Sequence, residues 1–501
     1  MIMVRQWLSI LLALVSTSTA IQHTFSTQNG TLASQNVFDH EGNLFTPVES
    51  LEFVSESEFT TLRHPFFPKH SARIKKSRFC DHTVNAYTGY IDIEARHLFF
   101  YFFESRSNPD KDDVIFWTNG GPGGSSSLGL FMELGPCRVL DDKGEKFHPE
   151  SWNSNANIFF VDQPIGVGFS YAEYGESVST TEEAAQDIAA FVAIFFENFN
   201  QFKGRPFHMA GESYGGRYIP LFASAVYDQN TALIEAGLAP VNLSSIMIGN
   251  GMTEPFEMMW SYHDFMCTEA TLPPVVSIST CVQLKPVVER CKKWTKAACL
   301  DQYDAINCGA ASTWCEGNLF STFVATGLNP YDYSQKCDGT LGDTLCYSAF
   351  KHINNFLSNP KLRKQIGVDT HPSIPANFSA INFEVNTAFA LAQDGWHPST
   401  AYVAALLERG VRALIYVGTY DWICNWVGNE RWTRDLEWSG GEDFRKEELR
   451  EWTVDGKVAG RTRSSGKFTF ATVDAAGHMV PYDKPKESLE LVNRWLSGKS
   501  L

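Results

Sequence analysis

Gly211-Glu212-Ser213-Tyr214-Gly215 has the pattern of a serine carried on a sharp turn. A strand-like run, 206–210, precedes it and a helical pattern follows from Tyr218. A strand-to-helix turn exposes the hydroxyl and aims the backbone N–H of Tyr214 at charge developing on a substrate carbonyl oxygen. A serine hydroxyl is a weak nucleophile at its own pKa, so it needs a base and a group to orient that base. Two later positions can supply them. Asp421 lies just beyond the apolar run 413–417, and His478 just beyond 468–473. Alone, each reads as a loop residue. After the C-terminal ends of parallel strands, both emerge on the same sheet edge as Ser213, and the three read as a catalytic triad.

That reading requires a parallel sheet, and the sequence alternates strands and helices as such a sheet demands. Runs 89–93, 98–103 and 114–117 read as strands, 157–162 as a buried strand, and 245–249 as another. Residues 181–199 place Ile188, Phe191, Val192, Phe195 and Phe199 on one helical face, and Ser179 followed by Glu182 has the spacing of a capping box. The expected fold is α/β, a mostly parallel twisted sheet flanked by helices, and the chain order Ser, Asp, His is that of an α/β-hydrolase. Asn119-Gly-Gly-Pro-Gly-Gly124 follows an early strand. It does not fit a phosphate loop, since no Gly-Lys-Ser/Thr follows, and in an α/β-hydrolase such a loop completes the oxyanion hole, with Gly121 as the expected donor. The pattern breaks near Gly251 and resumes at Tyr402, so the intervening segment is expected to cap the strand ends.

The 501 residues are 44% hydrophobic, 13% aromatic and 20% charged, which is not the composition of a chain unable to bury a core. A net charge of −16 repels phosphate on average and makes nucleic acid an improbable partner. One basic residue, Arg5, an apolar run and small residues ending at Ala20 read as a cleavable secretory signal, too short to span a membrane. No later segment is long and apolar enough to span. Asn29, Asn242 and Asn377 open glycosylation acceptor triplets. Of eleven cysteines, eight lie between Cys267 and Cys346, without the short paired spacings of a zinc site, so disulfides and an oxidising compartment are expected. The basic cluster 69–78 suggests the end of a removable pro-segment. The expected organisation is a signal peptide, 1–20; a propeptide, 21–78; a first core part, 79–251; a helical, disulfide-rich cap insertion, 252–387; and a second core part, 388–501.

Asn119-Gly-Gly-Pro-Gly123, Phe160-Val-Asp-Gln-Pro-Ile-Gly-Val-Gly-Phe-Ser-Tyr171, Gly211-Glu-Ser-Tyr-Gly215, Ile248-Gly-Asn-Gly251, Asp421-Trp-Ile-Cys-Asn-Trp426 and Gly477-His-Met-Val-Pro481 together resemble the serine carboxypeptidase family, in its carboxypeptidase Y and plant serine carboxypeptidase-like group. The similarity runs from about Tyr87 to the C-terminus. It implies release of C-terminal amino acids from peptides and proteins through an acyl-enzyme, favoured at acidic pH, without metal or organic cofactor. It implies that Asn119, Gly120, Glu133 and Glu212 grip the substrate's terminal carboxylate, that Met479 and the free Cys424 line the substrate pocket, and that Cys267 pairs with Cys281, Cys291 with Cys315, Cys299 with Cys308, and Cys337 with Cys346. The chain departs from the family where a cysteine usually follows Gly-Gly-Pro-Gly: Gly124 stands there, and Ile381 near the partner position. Cys80 and Cys137, extra to the pattern, are expected to pair. The resemblance also takes in plant acyltransferases with the same triad. Location in the secretory pathway, secreted or vacuolar/lysosomal, is expected, and a homodimer is admitted but not required.

Overall fold

The computed structural model describes residues 45–501; the expected signal peptide, Asn29 and the first part of the expected propeptide lie outside the described residues. Among the described residues, twelve strands carry the main sheet: β1 (Thr60–Leu62), β2 (His70–Ser77), β3 (Ala86–Ile93), β4 (Arg96–Phe103), β5 (Val114–Thr118), β6 (Asn157–Val161), β7 (Phe207–Glu212), β8 (Leu243–Gly249), β9 (Arg412–Gly418), β10 (Arg450–Val454), β11 (Lys457–Ser465) and β12 (Phe468–Val473), with the short Tyr171–Ala172 strand added beside β4. Their spatial order is β1-β2-β3-β4-β6-β5-β7-β8-β9-β12-β11-β10. The stretch from β6 to β12 is parallel throughout. Antiparallel strands flank it on both sides. The sheet is therefore mixed, parallel where the candidate triad strands lie, as in an α/β-hydrolase.

The parallel strands are buried on both faces, so they read as unbroken apolar runs. Within β5, Val114 and Phe116 join one hydrophobic cluster while Ile115 and Trp117 join the other, as the period of two requires. The first face is covered by α1 (Thr181–Asn198) and α2 (Gly215–Glu235), whose Phe191, Phe195 and Phe222 pack on the strands' Phe100, Phe102, Phe116 and Phe159. The N-cap of α1 is Thr180, one residue later than the expected Ser179; Glu183 reaches back to the Ser179 N–H, which leaves Glu182 to pair with Arg217. Between β8 and β9 come the cap helices α3 (Pro255–Cys267), α4 (Ile278–Thr295) and α5 (Ala305–Val324), with an aromatic core of their own.

The basic cluster forms a sheet strand, which corrects the expectation that the folded region begins after it. From His70 to Ser77, β2 pairs residue for residue with β3. Ala72 and Ile74 are fully buried, and Arg73 pairs with Asp92 and Asp369 while its guanidinium lies over Phe59 and Tyr90. Charges alternating with small apolar residues hid a strand with one buried face. Leu51, Val54 and Leu62 are buried upstream of it. A chain starting at Phe79 should therefore lose about 1.5–3 kcal/mol for each large apolar side chain removed and leave β3 as an unpaired edge. Thermal unfolding of chains starting at Phe45 and at Phe79 checks this: a much lower melting temperature or insolubility is expected of the shorter chain, and equal melting would refute it.

Candidate active site

Ser213 sits between the end of β7 and the start of α2 with φ of 63°, the left-handed strain that lifts a serine clear of a sheet. Its N–H is shared between the carbonyls of Gly249 and Asn250, and its carbonyl accepts from Met252 N–H and Gly216 N–H. Gly120 passes so close that a Cβ there would lie 2.3 Å from the Tyr214 nitrogen, so only glycine lets the Gly-rich loop approach the serine turn. Gly121, at φ of 116°, and Gly123 shape that loop, and the Gly124 N–H closes it on the Gly120 carbonyl.

His478 and Asp421 meet at the same edge. The imidazole Nδ1 is 2.7 Å from Asp421 Oδ2, which leaves Nε2 as the nitrogen for a serine hydroxyl. Asp421 is fully buried and takes three further donors: Asn250 Nδ2 at 2.7 Å, Ile423 N–H at 3.0 Å and Cys424 N–H at 3.3 Å. Those donors offset the cost of burying its charge. Asn250 also accepts from Gly418 N–H through Oδ1. It thus ties the serine turn to the aspartate loop. Asn250 stands inside the Ile248-Gly-Asn-Gly251 motif, but its role has no local signal, because it arises only where β8 and β9 lie side by side.

Asn119, Glu133 and Glu212 form a buried cluster next to the serine. Asn119 Nδ2 donates to Glu133 Oε1 at 3.0 Å, while its own Oδ1 is fixed by Trp117 Nε1 and Gly129 N–H. The two carboxyl groups lie within hydrogen-bonding reach of each other. Burial first, then the charge of Glu133, pushes Glu212 well above the usual carboxyl range; burial also raises Glu133. Two adjacent carboxyls in a dry site cannot both ionise, so the pair holds a proton. Glu133 Oε2 is buried without a hydrogen-bond partner among the described residues, as an oxygen that awaits a proton or a donor would be.

Met479 is buried directly after the histidine. Cys424 is a buried free thiol with Sγ within 4.8 Å of ligand atoms of Asp421 and His478, and burial pushes its pKa up, so it is protonated. Tyr214 donates its phenol to Asp394 at 2.7 Å, and Arg217 engages the same carboxylate, so Arg217 braces the turn's scaffold. Five disulfides are present: Cys80–Cys137, Cys267–Cys281, Cys291–Cys315, Cys299–Cys308 and Cys337–Cys346. Gly124 and Ile381, where the resembling family carries a cross-link, lie opposite each other as an antiparallel bridge, with Ser125 N–H on the Ala380 carbonyl and Asn382 N–H on that of Gly123. Backbone bonds hold the glycine-rich loop where the disulfide is missing. Asn242 and Asn377 are exposed.

Comparison with known proteins agrees with this geometry. The family model for serine carboxypeptidases matches residues 78–498. Carboxypeptidase Y of Komagataella phaffii is 40% identical over 416 residues, 82% of this chain and 76% of its own. The vacuolar serine-type carboxypeptidase ATG42 of Saccharomyces cerevisiae is 37% identical over 446 residues, 88% of this chain and 85% of its own. Among solved structures, the prohormone-processing carboxypeptidase Kex1 of Saccharomyces cerevisiae superimposes with a TM-score of 0.71 at 24% identity, covering 84% of this chain and 95% of that one, and so shares the fold. With a match over most of its length, the chain belongs to the serine carboxypeptidase family of hydrolytic exopeptidases.

Proposed function

We propose that Ser213, His478 and Asp421 are the catalytic triad of a carboxypeptidase that removes one C-terminal residue at a time under acidic conditions. The peptide's last residue enters with its carboxylate toward Asn119, the Gly120 N–H and the Glu133–Glu212 pair. His478 Nε2 takes the Ser213 proton as Oγ attacks the last peptide carbonyl, and the N–H groups of Gly121 and Tyr214 hold the oxyanion. The tetrahedral intermediate collapses, the C–N bond breaks, and the imidazolium gives its proton to the departing amino acid. Water, deprotonated by His478, then attacks the acyl-enzyme and frees the shortened peptide. Asp421 keeps Nδ1–H oriented and stabilises the imidazolium.

The observation that carries the substrate class is the buried Asn119–Glu133–Glu212 cluster, since Glu212 immediately precedes the nucleophile. A proton-holding carboxyl pair is suited to donate to a third carboxylate. Matched peptides ending in a free acid or in an amide test it. Amidation should remove most of the catalytic efficiency; an enzyme indifferent to amidation would be an esterase or an acyltransferase instead. Five disulfides support a location on the secretory route, where the compartments are oxidising, and no helix among the described residues is long and apolar enough to cross a membrane. A vacuole-type acidic compartment suits the proton-sharing pair and is the compartment named for one relative.

A further inference from the structure

The cap insertion reaches into the catalytic edge through one tight turn. Two short strands, Leu328–Asn329 and Asp332–Lys336, form a hairpin after α5, and its turn is Asn329-Pro330-Tyr331-Asp332. Four main-chain hydrogen bonds leave this segment for the loops that carry the imidazole and the aspartate. The Tyr331 carbonyl accepts the N–H of His478 itself at 2.7 Å. The Pro330 carbonyl accepts the N–H groups of both Trp422 and Ile423 at 3.1 Å, the two residues after Asp421. Tyr333 N–H donates to the Tyr420 carbonyl at 3.0 Å, the residue before it. Side chains reinforce the same joint. The Tyr331 ring stands edge-on to the His478 imidazole with centroids 5.1 Å apart, and the Trp422 indole is stacked between Tyr262 of α3 and Phe323 of α5, each at 4.1 Å.

A β-hairpin alone would not hold such a turn rigid, since only Leu328 with Lys336 and Asn329 with Asp332 are paired across it. Asn329 fixes it: the residue is 3% exposed, and its Oδ1 accepts the Tyr331 N–H at 2.9 Å, an Asx turn that sets where the Tyr331 carbonyl points. Below the turn, the Cys337 N–H closes on the Gly327 carbonyl and Cys337 is bonded to Cys346. The histidine loop is tight against the same carbonyl, because a Cβ at Gly477 would lie 2.5 Å from the Tyr331 carbonyl oxygen. The turn and the loop are packed backbone against backbone.

We propose that Asn329 is a positioning residue for the His478–Asp421 pair, acting through the Pro330 and Tyr331 carbonyls, so that the cap is a structural part of the catalytic relay as well as a roof over it. The assignment rests on the triad reading above and extends it to a residue that touches neither substrate nor a reacting atom. A displacement near 1 Å at a catalytic group costs on the order of 100-fold in rate. Substrate grip, by contrast, belongs to Asn119, Glu133 and Glu212 and should be unaffected.

The test compares full-length wild type with Asn329→Ala and Asn329→Asp. A free-acid peptide and a small activated ester serve as substrates, and rates are normalised to folded protein by near-UV circular dichroism. Asn329→Ala should lower kcat by about 10- to 100-fold on both substrates and leave the peptide KM within about twofold. Asn329→Asp keeps the acceptor oxygen and should recover kcat to within about threefold of wild type. Hydrogen exchange should show the 474–480 and 420–425 peptides of Asn329→Ala losing protection while those from β5 and β7 keep theirs. If Asn329→Ala fails to fold, Asn329→Ser, with a weaker acceptor, takes its place in every comparison. A kcat within about twofold of wild type, a loss confined to KM, or an aspartate variant as poor as the alanine variant would each overturn the assignment. The ester measurement separates this failure from failure of the carboxypeptidase reading, which is judged only on the wild type's need for a free C-terminus.

Discussion

Replacing Ser213 with alanine is expected to lower kcat/KM for a free-acid peptide by about a million-fold, with the loss in kcat. The expectation follows from division of labour at the sheet edge. Ser213 is held at φ of 63° by bonds to Gly249, Asn250 and Met252, none of which needs its hydroxyl, so removing Oγ leaves the turn standing. What disappears is the covalent route. The oxyanion donors and the carboxylate grip remain, and they alone sustain a residual acceleration over water of roughly 10³–10⁴. Adding His478→Ala to the same chain should therefore cost almost nothing further, because residues that act as one unit are not additive. Asp421→Asn should cost about 10⁴-fold, since an amide in its place reverses the imidazole tautomer that the 2.7 Å bond to Nδ1 selects. Steady-state kinetics on the purified variants, with protein concentration checked by folded-state spectroscopy, read all three. A loss below about 100-fold for Ser213→Ala, or a clear further loss in the double variant, would remove the serine from the nucleophile's role.

The candidate triad positions stand out in the sequence because each follows a buried strand, and buried strands of a parallel sheet are conspicuous. Val114–Thr118 and Asn157–Val161 are continuous apolar runs flanked by turn formers, and Phe468–Val473 has the bounds expected of it. Strands with one solvated face were harder. In β2 the charges of Arg73, Lys75 and Lys76 outweighed the alternation of Ala72 and Ile74. The β10–β11 hairpin is rich in Arg, Glu and Lys, and its only local signal is Asp455-Gly456, both at positive φ as a tight two-residue turn requires. The supporting residues were not legible at all. Asn250 matters because β8 and β9 are neighbours, and Asn329 because a cap turn meets two loops from the second core part. No spacing along the chain encodes either meeting. Sequence reveals groups whose chemistry is intrinsic to their type and local setting; groups that work only by holding others in place emerge with the tertiary packing.

The second large effect is a pH dependence of substrate grip, and its sign follows from the Glu133–Glu212 pair. Both carboxyls are shifted upward by burial, and Glu212 is shifted further by its neighbour's charge. Below the pair's raised titration, one carboxyl carries a proton and can donate to the incoming carboxylate. Above it, that proton is lost and the substrate meets a second negative charge in a dry site, where three carboxylates cannot all remain ionised. KM for a free-acid peptide should therefore stay low in acid and rise as pH increases, by about tenfold per unit once the pair deprotonates, because each unit removes tenfold of the competent form. Glu212→Gln tests the origin of this dependence. An amide keeps a hydrogen-bond donor at every pH and leaves Glu133 without a carboxyl neighbour, so the KM profile of the variant should be nearly flat from pH 5 to pH 8. An amidated peptide, lacking the third charge, should show a flat KM with the wild type as well. Initial rates measured across that range with both substrates decide the matter: a wild-type KM independent of pH, or a Glu212→Gln profile as steep as the wild type's, would mean that the carboxylate is held by Asn119 and the backbone without a shared proton.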